Sequence, residues 1–219
     1  MGRYNPDDWK CYQTLRQSET TPMALFYTDG ASNKYFSKSD QGDKDDDIIK
    51  ILSPTKTLVN TAIEQDDYNI SSYVILYCIQ GLKILFCGDA SKQTIEHLIA
   101  HHSDENDKYN IRNVDILVVP HHGRKDGFDD FGYLDLICPK YAIVQSVGGE
   151  FISHDEYQKD NITPLALDTA YNIAIQINNG ELSIAVGNKG FAAVSASKAG
   201  KQMARKAFFL PFEAWWITK

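Results

Sequence analysis

The sequence predicts one domain of mixed α/β structure, built around a strand–helix–strand unit. Residues 83–87 and 115–119 are apolar, β-branched runs of the kind that form buried strands. Between them, residues 91–101 have the apolar spacing of an amphipathic helix, with Ser91 as a candidate N-cap. Two strands joined by a helix usually lie parallel and close together, so we expect their C-terminal ends to meet at one edge of a sheet.

The first part of the chain is expected to add a helix, strands and an acidic loop. The helix start is Asn5-Pro6-Asp7, and Gly81 marks a hairpin turn. The acidic loop is typical of a solvated surface, because a cation site would need a tighter ligand pattern. In chain order the predictions are a helix over 7–16, a strand over 23–28, a loop over 29–47, a strand over 48–52 and a hairpin of 70–80 and 82–87.

The last third of the chain contains an alternating hairpin pattern, a basic stretch and an aromatic end. Asn179-Gly180 is a strong signal for a type I′ hairpin turn, and Pro139 is expected to end a short helix. The aromatic C-terminus is expected to dock on the protein's own core or on a partner. In order the predictions are a loop over 104–110, a helix over 131–137, a strand over 141–147, a hairpin of 173–178 and 181–186, a strand over 191–195, a basic helix over 197–209 and an aromatic tail over 211–216.

Composition limits the class of protein. The 219 residues suffice for one sizeable core, and 43% hydrophobic with 23% charged residues is usual for a globular domain. The net charge of −7 argues against broad binding to a nucleic-acid backbone, but leaves open a nucleic-acid substrate at a metal-lined cleft. Four cysteines without CxxC spacing, no signal peptide and no membrane span together predict a cytoplasmic protein.

Titratable residues follow the two strands of the central unit. Asp89 comes after the first strand, in Gly88-Asp89, and His121 and His122 come after the second, in a Pro-His-His-Gly segment. Taken singly, Asp89 could cap a helix and the histidines could be packing residues. Together, a carboxylate and imidazoles at adjoining strand ends are the donors of a divalent-cation site, and Gly123 leaves room for a ligand.

Other histidines are weaker candidates. His154 follows the next buried strand and is a third candidate ligand, although Ser153 could instead cap a helix that exposes it. His97, His101 and His102 lie along or just after the central helix, where we expect a surface position.

Four segments stand in a characteristic order. They are Asn69-Ile70-Ser71-Ser72 before an apolar run, Gly88-Asp89, the Asp-(apolar)-Pro-His-His-Gly segment of 115–123 and the apolar run over 142–146. The ordered set resembles the metallo-β-lactamase-fold hydrolases, and most closely the hydrolase domain of the competence protein ComEC and its stand-alone relatives. The resemblance is strongest over 48–154.

The resemblance implies a four-layer αββα sandwich with a metal site at one edge of its two sheets. Asp89 would match the family's metal-bridging carboxylate, and His121 or His122 its histidine pair. His154 lies near the family's last histidine, although its neighbours differ from the usual Gly-His-Pro. In the family, two divalent metals, often zinc (or manganese), lower the pKa of bound water to about 7 for attack on a phosphodiester.

The chain departs from this family at its start. The motif His-x-His-x-Asp-His has no counterpart, because no histidine precedes His97. The resemblance therefore implies a sandwich that is incomplete at its N-terminus, with only the C-terminal part of the metal site and at most one weakly bound cation. Arg124 and Lys125 replace a frequent Gly-Ser and could contact an anionic substrate or be solvated.

Three hypotheses follow. The first is a metal-dependent hydrolase, of phosphodiesterase or nuclease type, with a nucleic-acid or nucleotide substrate. The second is an inactive relative that serves as a binding or assembly subunit of a larger complex, for instance in bacterial defence, with the aromatic tail as contact to a partner or a second copy. The third is a truncated reading frame that exposes a sheet edge.

Overall fold

The computed structural model describes residues 5–16, 27–31, 48–124, 131–145, 154–158, 161–192, 205–209 and 212–218. Its helices are α1 Pro6–Arg16, α2 Lys56–Gln65, α3 Lys92–His101, α4 Tyr133–Ile137 and α5 Leu167–Ala170. Its strands are β1 Ile48–Ser53, β2 Val74–Ile79, β3 Leu82–Phe86, β4 Ile116–Val118, β5 Tyr141–Val144, β6 Thr163–Ala166, β7 Ile173–Asn178, β8 Glu181–Val186, β9 Arg205–Phe209 and β10 Phe212–Thr218. None of the described helices is long and apolar enough to span a bilayer.

The first six strands form one sheet in chain order, β1-β2-β3-β4-β5-β6. Strands β1, β2 and β3 are antiparallel, whereas β3, β4, β5 and β6 run parallel. The predicted strand–helix–strand unit is confirmed, since β3 and β4 pair in parallel with Leu85 opposite Leu117 and α3 lies between them in the chain. The C-terminal ends of β3 to β6, and of β1, therefore face the same edge.

Successive side chains of the central strands point to opposite faces of the sheet, so the core has two layers. Leu85 and Leu117 belong to the cluster that contains Leu98 of α3 and Leu134 of α4. Their neighbours on the other face of the sheet pack instead against β8 of a second sheet, in a cluster of Ile84, Ile116, Val118, Ile143, Ile184 and Val186. The described residues thus form helices, sheet and sheet in successive layers, which confirms a mixed α/β fold.

The second sheet is antiparallel, in the order β7-β8-β10-β9. The predicted hairpin of β7 and β8 is confirmed, and both turn residues, Asn179 and Gly180, have positive φ. The backbone N–H of Gly180 donates to Gln80 Oε1 at 2.8 Å, so the hairpin tips of the two sheets touch. The aromatic C-terminus docks on the protein's own sheet through β10, which lies between β8 and β9.

Several sequence predictions are wrong in detail. Residues 205–209 form strand β9 instead of the second half of a basic helix, because pairing with β10 overrides their helical spacing. Residues 189–192 are helical where a strand was expected to begin at 191. Strand β2 starts at Val74 and not at 70, because Asp67 caps a 3₁₀ turn over Tyr68–Ser71 by accepting from the Asn69 N–H.

Helices α2 and α5 and strand β6 were not predicted. Helix α2 begins after Thr55, whose hydroxyl caps it by accepting from the Leu58 N–H at 3.1 Å. Strand β6 contains Pro164, which normally argues against a strand, but β6 lies at the end of the sheet order. The predicted strand over 23–28 lies outside the described residues up to 26, as do most of the acidic loop (32–47) and residues 193–204.

Candidate functional site

The loops after β3, β4 and β5 leave the sheet side by side. The ladder continues one residue past each strand, because the Cys87 N–H donates to Val118 O at 3.2 Å and the Val119 N–H donates to Ile143 O at 3.1 Å. Beyond these bonds, the His121 N–H donates to Gly88 O at 2.9 Å and joins the first two loops directly. The sequence-predicted carboxylate and histidine pair therefore share one edge.

Asp89 lies in the turn between β3 and α3, and it does not cap the helix. Ser91 occupies the N-cap, as predicted, although its hydroxyl contacts Gln93 and Thr94 and not a backbone N–H. Gly88 has φ +53, and a Cβ there would lie 3.1 Å from Tyr73 O. The Asp89 side chain that follows is half-exposed at the edge of the sheet.

The His-His-Gly corner has an unusual backbone. His121 and His122 both adopt left-handed conformations, at φ 47 and φ 57, and Gly123 follows at φ 82. For a residue with a Cβ, this conformation costs about 1–2 kcal/mol. Strain of this kind is concentrated at functional sites, where the surrounding structure holds it in place. The Arg124 N–H closes the turn by donating to His121 O at 2.9 Å.

The corner directs one imidazole onto the carboxylate. His122 Nε2 lies 3.0 Å from Asp89 Oδ1, and both side chains are half-exposed. The other ring nitrogen, His122 Nδ1, lies 3.2 Å from Gln145 Oε1. Because an amide oxygen only accepts, Nδ1 carries the proton in this contact, and Nε2 is the nitrogen that remains for Asp89 or for a metal.

The other predicted site residues are placed differently. The His121 ring lies 6.5 Å from the His122 ring, centroid to centroid, and takes no part in the ion pair with Asp89. Arg124 is exposed beside the corner. His154 opens a 3₁₀ turn over His154–Tyr157, but its side chain lies outside the described part of the chain, as does Lys125.

Asp115, which begins the Asp-(apolar)-Pro-His-His-Gly segment, connects strands of the sheet and does not belong to the site. Asp115 is buried, and its carboxylate accepts from the Lys83 backbone N–H at 2.8 Å and from Lys140 Nζ at 2.6 Å. It therefore ties β3, β4 and β5 together at the edge opposite the ion pair.

A second cluster was not predicted. Asp29, His97 and His102 each offer one ligand atom, and these atoms lie within 4.8 Å of one another. Asp29 Oδ2 lies 3.3 Å from His97 Nε2 and 3.1 Å from His102 Nε2. The expectation that these two histidines lie on the surface is wrong, since their side chains are only 12% and 15% exposed.

Burial lowers the pKa of one histidine in this second cluster. The pKa of His97 lies below its ordinary value, chiefly because burial disfavours the charged ring, although Asp29 opposes the shift. His101, on the same helix, packs its ring 4.7 Å from that of His97. The sequence held one usable signal, which is three histidines around a helix end, but the acidic partner lies 68 residues from His97 in a predicted loop.

Neither the scan against protein-family models nor the search of curated proteins found a match for this chain.

Proposed function

We propose that this protein is a metal-dependent hydrolase of the metallo-β-lactamase fold, and that it acts on phosphodiesters. The observation that carries the proposal is the contact between Asp89 and His122 at the C-terminal edge of the six-stranded sheet. In open sheets with parallel strands, sites are built at this edge, where successive loops converge.

The architecture supports the family part of the proposal. Helices α3 and α4 cover one face of the first sheet, and the second sheet covers the other. This agrees with three of the four layers of an αββα sandwich. The Gly88-Asp89 and His121-His122-Gly123 segments follow adjacent parallel strands, as the resemblance requires.

The donor chemistry of the edge fits a divalent cation. With Nδ1 engaged by Gln145, Nε2 is the His122 nitrogen that faces the carboxylate, and in the neutral ring it carries a lone pair. A lone pair and a carboxylate oxygen 3.0 Å apart need a proton or a cation between them. Two ligands of a tetrahedral zinc lie about 3.3 Å apart, given Zn–N and Zn–O distances of about 2.0–2.2 Å.

The described residues supply only part of the centre. Asp89 and His122 are two donors, and the described chain brings no third carboxylate, imidazole or thiolate to the same point. A two-metal centre therefore does not fit these residues by themselves. We infer that one cation binds weakly at this edge, and that a full centre needs further ligands from outside the described residues or from a partner chain.

The residues have distinct roles in this proposal. A cation bound here would lower the pKa of water and neutralise charge on a phosphoryl group. Asp89 and His122 would hold it, and Gln145 would fix the tautomer and orientation of the His122 ring. Arg124 is exposed beside the corner, where it could contact a substrate phosphate. The half-exposed edge leaves room for an extended substrate.

The proposal is tested by hydrolysis of bis(p-nitrophenyl) phosphate with Mn²⁺ or Zn²⁺. We expect slow metal-dependent turnover, reduced about 100-fold in Asp89→Asn and in His122→Gln, as for loss of one key polar group in other active sites. Asp107→Asn is the matched control, because Asp107 is an exposed aspartate in the loop before β4. Asn110 of the same loop accepts from Lys83 Nζ at the start of β3, which places this loop at the opposite edge of the sheet. Equal rates in all four proteins, or none at millimolar metal, would reject the proposal for this chain.

The alternative is an inactive subunit of a larger complex, and the pairing of β10 limits which surface could bind a partner. The aromatic tail was its expected contact, but the backbone of β10 pairs with β8 and β9 of the same chain. A partner or a second copy would therefore have to use another surface, or the side chains of β10.

A further inference from the structure

We propose that Asp29, His97 and His102 form a structural zinc site that fastens the segment of residues 27–31 to helix α3. This site is separate from the Asp89–His122 edge and does not depend on the proposed hydrolase activity.

Backbone hydrogen bonds fix the position of the segment that carries Asp29. The Asp29 N–H donates to Pro54 O at 2.8 Å, and the Gly30 N–H donates to Ile51 O at 3.1 Å. Gly30 completes the turn at φ +75. These bonds hold the segment against strand β1, so the Asp29 carboxylate reaches α3 from a defined position.

The two histidines come from different parts of one helix. His97 lies in the middle of α3, whereas His102 is the residue that follows its end, at φ −126. The His102 N–H donates to Leu98 O at 2.8 Å, and its carbonyl accepts from the Ile111 N–H at 2.8 Å. The departure from helical geometry turns the His102 ring back toward His97, with 5.6 Å between ring centroids.

The donor atoms suit zinc. Each Nε2 approaches the same carboxylate oxygen, at 3.3 Å and 3.1 Å, which is close to the separation of about 3.3 Å between ligands of a tetrahedral zinc. Two imidazoles and one carboxylate are borderline donors, typical of zinc, whereas magnesium and calcium prefer sets made of oxygen. In the absence of a cation, the same geometry requires both rings to donate an Nε2–H to one oxygen.

The surroundings favour a structural role. The three side chains are only 12% to 22% exposed, so a substrate has little access to them, and a water molecule would complete a tetrahedral set of ligands. The ligands join a loop on β1 to the end of α3, and so connect segments far apart in the chain. Zinc binding at such a place contributes directly to folding stability.

Zinc binding to the 219-residue chain provides the test. The titration uses the metal alone, in the Asp89→Asn/His122→Gln background, so that the edge site does not contribute. We expect one zinc per chain, an absorption spectrum of tetrahedral type with Co²⁺, and a rise in Tm of about 5–10 °C at a 100-fold excess over Kd. His97→Gln and His102→Gln should each abolish all three signals.

The matched control is His101→Gln, because His101 is exposed on the same helix beside His97 but does not direct an atom to Asp29. It should keep the stoichiometry and the Tm shift. Circular dichroism shows whether each variant folds, and Asp29→Asn, which changes no helix residue, provides a second ligand variant. No binding at micromolar zinc, or binding unchanged in His102→Gln and Asp29→Asn, would show a purely hydrogen-bonded cluster and overturn the proposal.

Discussion

His122 Nε2 lies 3.0 Å from Asp89 Oδ1, although the two residues follow different strands of the sheet. The contact is prepared by the backbone, because the His121 N–H donates to Gly88 O and holds the two loops together. Two left-handed histidines then direct the second ring onto the carboxylate. A carboxylate and an imidazole held in this way are the strongest indication of function in the described chain.

The orientation of His122 depends on Gln145. Replacing Gln145 with Leu removes the acceptor for His122 Nδ1 while keeping a similar volume. We expect the metal concentration needed for half-maximal hydrolysis to rise about 10–100-fold, as for loss of comparable outer partners of histidine ligands. The measurement is the metal dependence of the hydrolysis rate, and an unchanged dependence would show that Gln145 does not orient the ring.

Both the backbone conformation and the packing at position 123 require glycine. Its φ of +82 favours glycine, and an added Cβ would lie 2.7 Å from Val144 Cγ1. We expect Gly123→Ala to lower the free energy of unfolding by about 2–5 kcal/mol, the sum of left-handed strain and overpacking. Gly81→Ala is the matched control, because Gly81 has φ +83 with no atom within 4 Å of the added Cβ.

The control should lose only about 1–2 kcal/mol, from strain alone. Urea denaturation of both variants separates the two contributions. Equal losses in the two proteins would contradict the close packing of the corner against β5.

Two hydrogen-bonded tyrosines lie next to the His-His-Gly corner, since a Cβ on Gly123 would be 3.6 Å from Tyr157 Cε2. The hydroxyls of Tyr133 and Tyr157 lie 2.9 Å apart in the core, and burial raises the pKa of both. We expect Tyr157→Phe to cost about 1–3 kcal/mol, because the buried Tyr133 hydroxyl loses a partner. In a double-mutant cycle with Tyr133→Phe, the double variant should be less destabilised than the sum of the single variants, and exact additivity would exclude a hydrogen bond.

The cysteines should differ sharply in reactivity. Burial raises the pKa of the Cys87 thiol to about 12, whereas Cys11 is exposed on α1. Since the thiolate is the reactive form, a disulfide reagent at pH 8 should modify Cys11 rapidly and Cys87 only after denaturation. Mass spectrometry of the labelled peptides provides the check, and fast labelling of Cys87 in the native protein would contradict its burial.

The sequence was informative where periodicity and turn residues agreed. The strand–helix–strand unit around α3 and the Asn179-Gly180 hairpin are confirmed, because apolar spacing and a turn signal both indicated them. Parallel pairing of β3 and β4 places Asp89 and His122 at the same edge, as predicted, whereas their direct contact also depends on the left-handed backbone at both histidines. Prediction was wrong over 205–209, where a helical spacing of basic residues gave no sign of the partner strand that decides the structure.

The second cluster could not be predicted for a different reason. His97 and His102 are five residues apart, which is not a regular helical spacing, and the backbone at His102 is no longer helical where the two rings meet. Asp29 stands far away in a stretch that is otherwise typical of a solvated loop. Its position depends on two backbone hydrogen bonds, from Asp29 to Pro54 and from Gly30 to Ile51 of β1, which no local pattern encodes.

The most direct test of the central claim is anomalous diffraction at the zinc edge from crystals of the wild-type chain soaked with zinc. We expect a peak about 2.0–2.2 Å from both Asp89 Oδ1 and His122 Nε2, and the loss of that peak in His122→Gln. Density that shows Asp89 and His122 still in direct contact at saturating zinc, with no peak between them, would contradict a metal site at this edge.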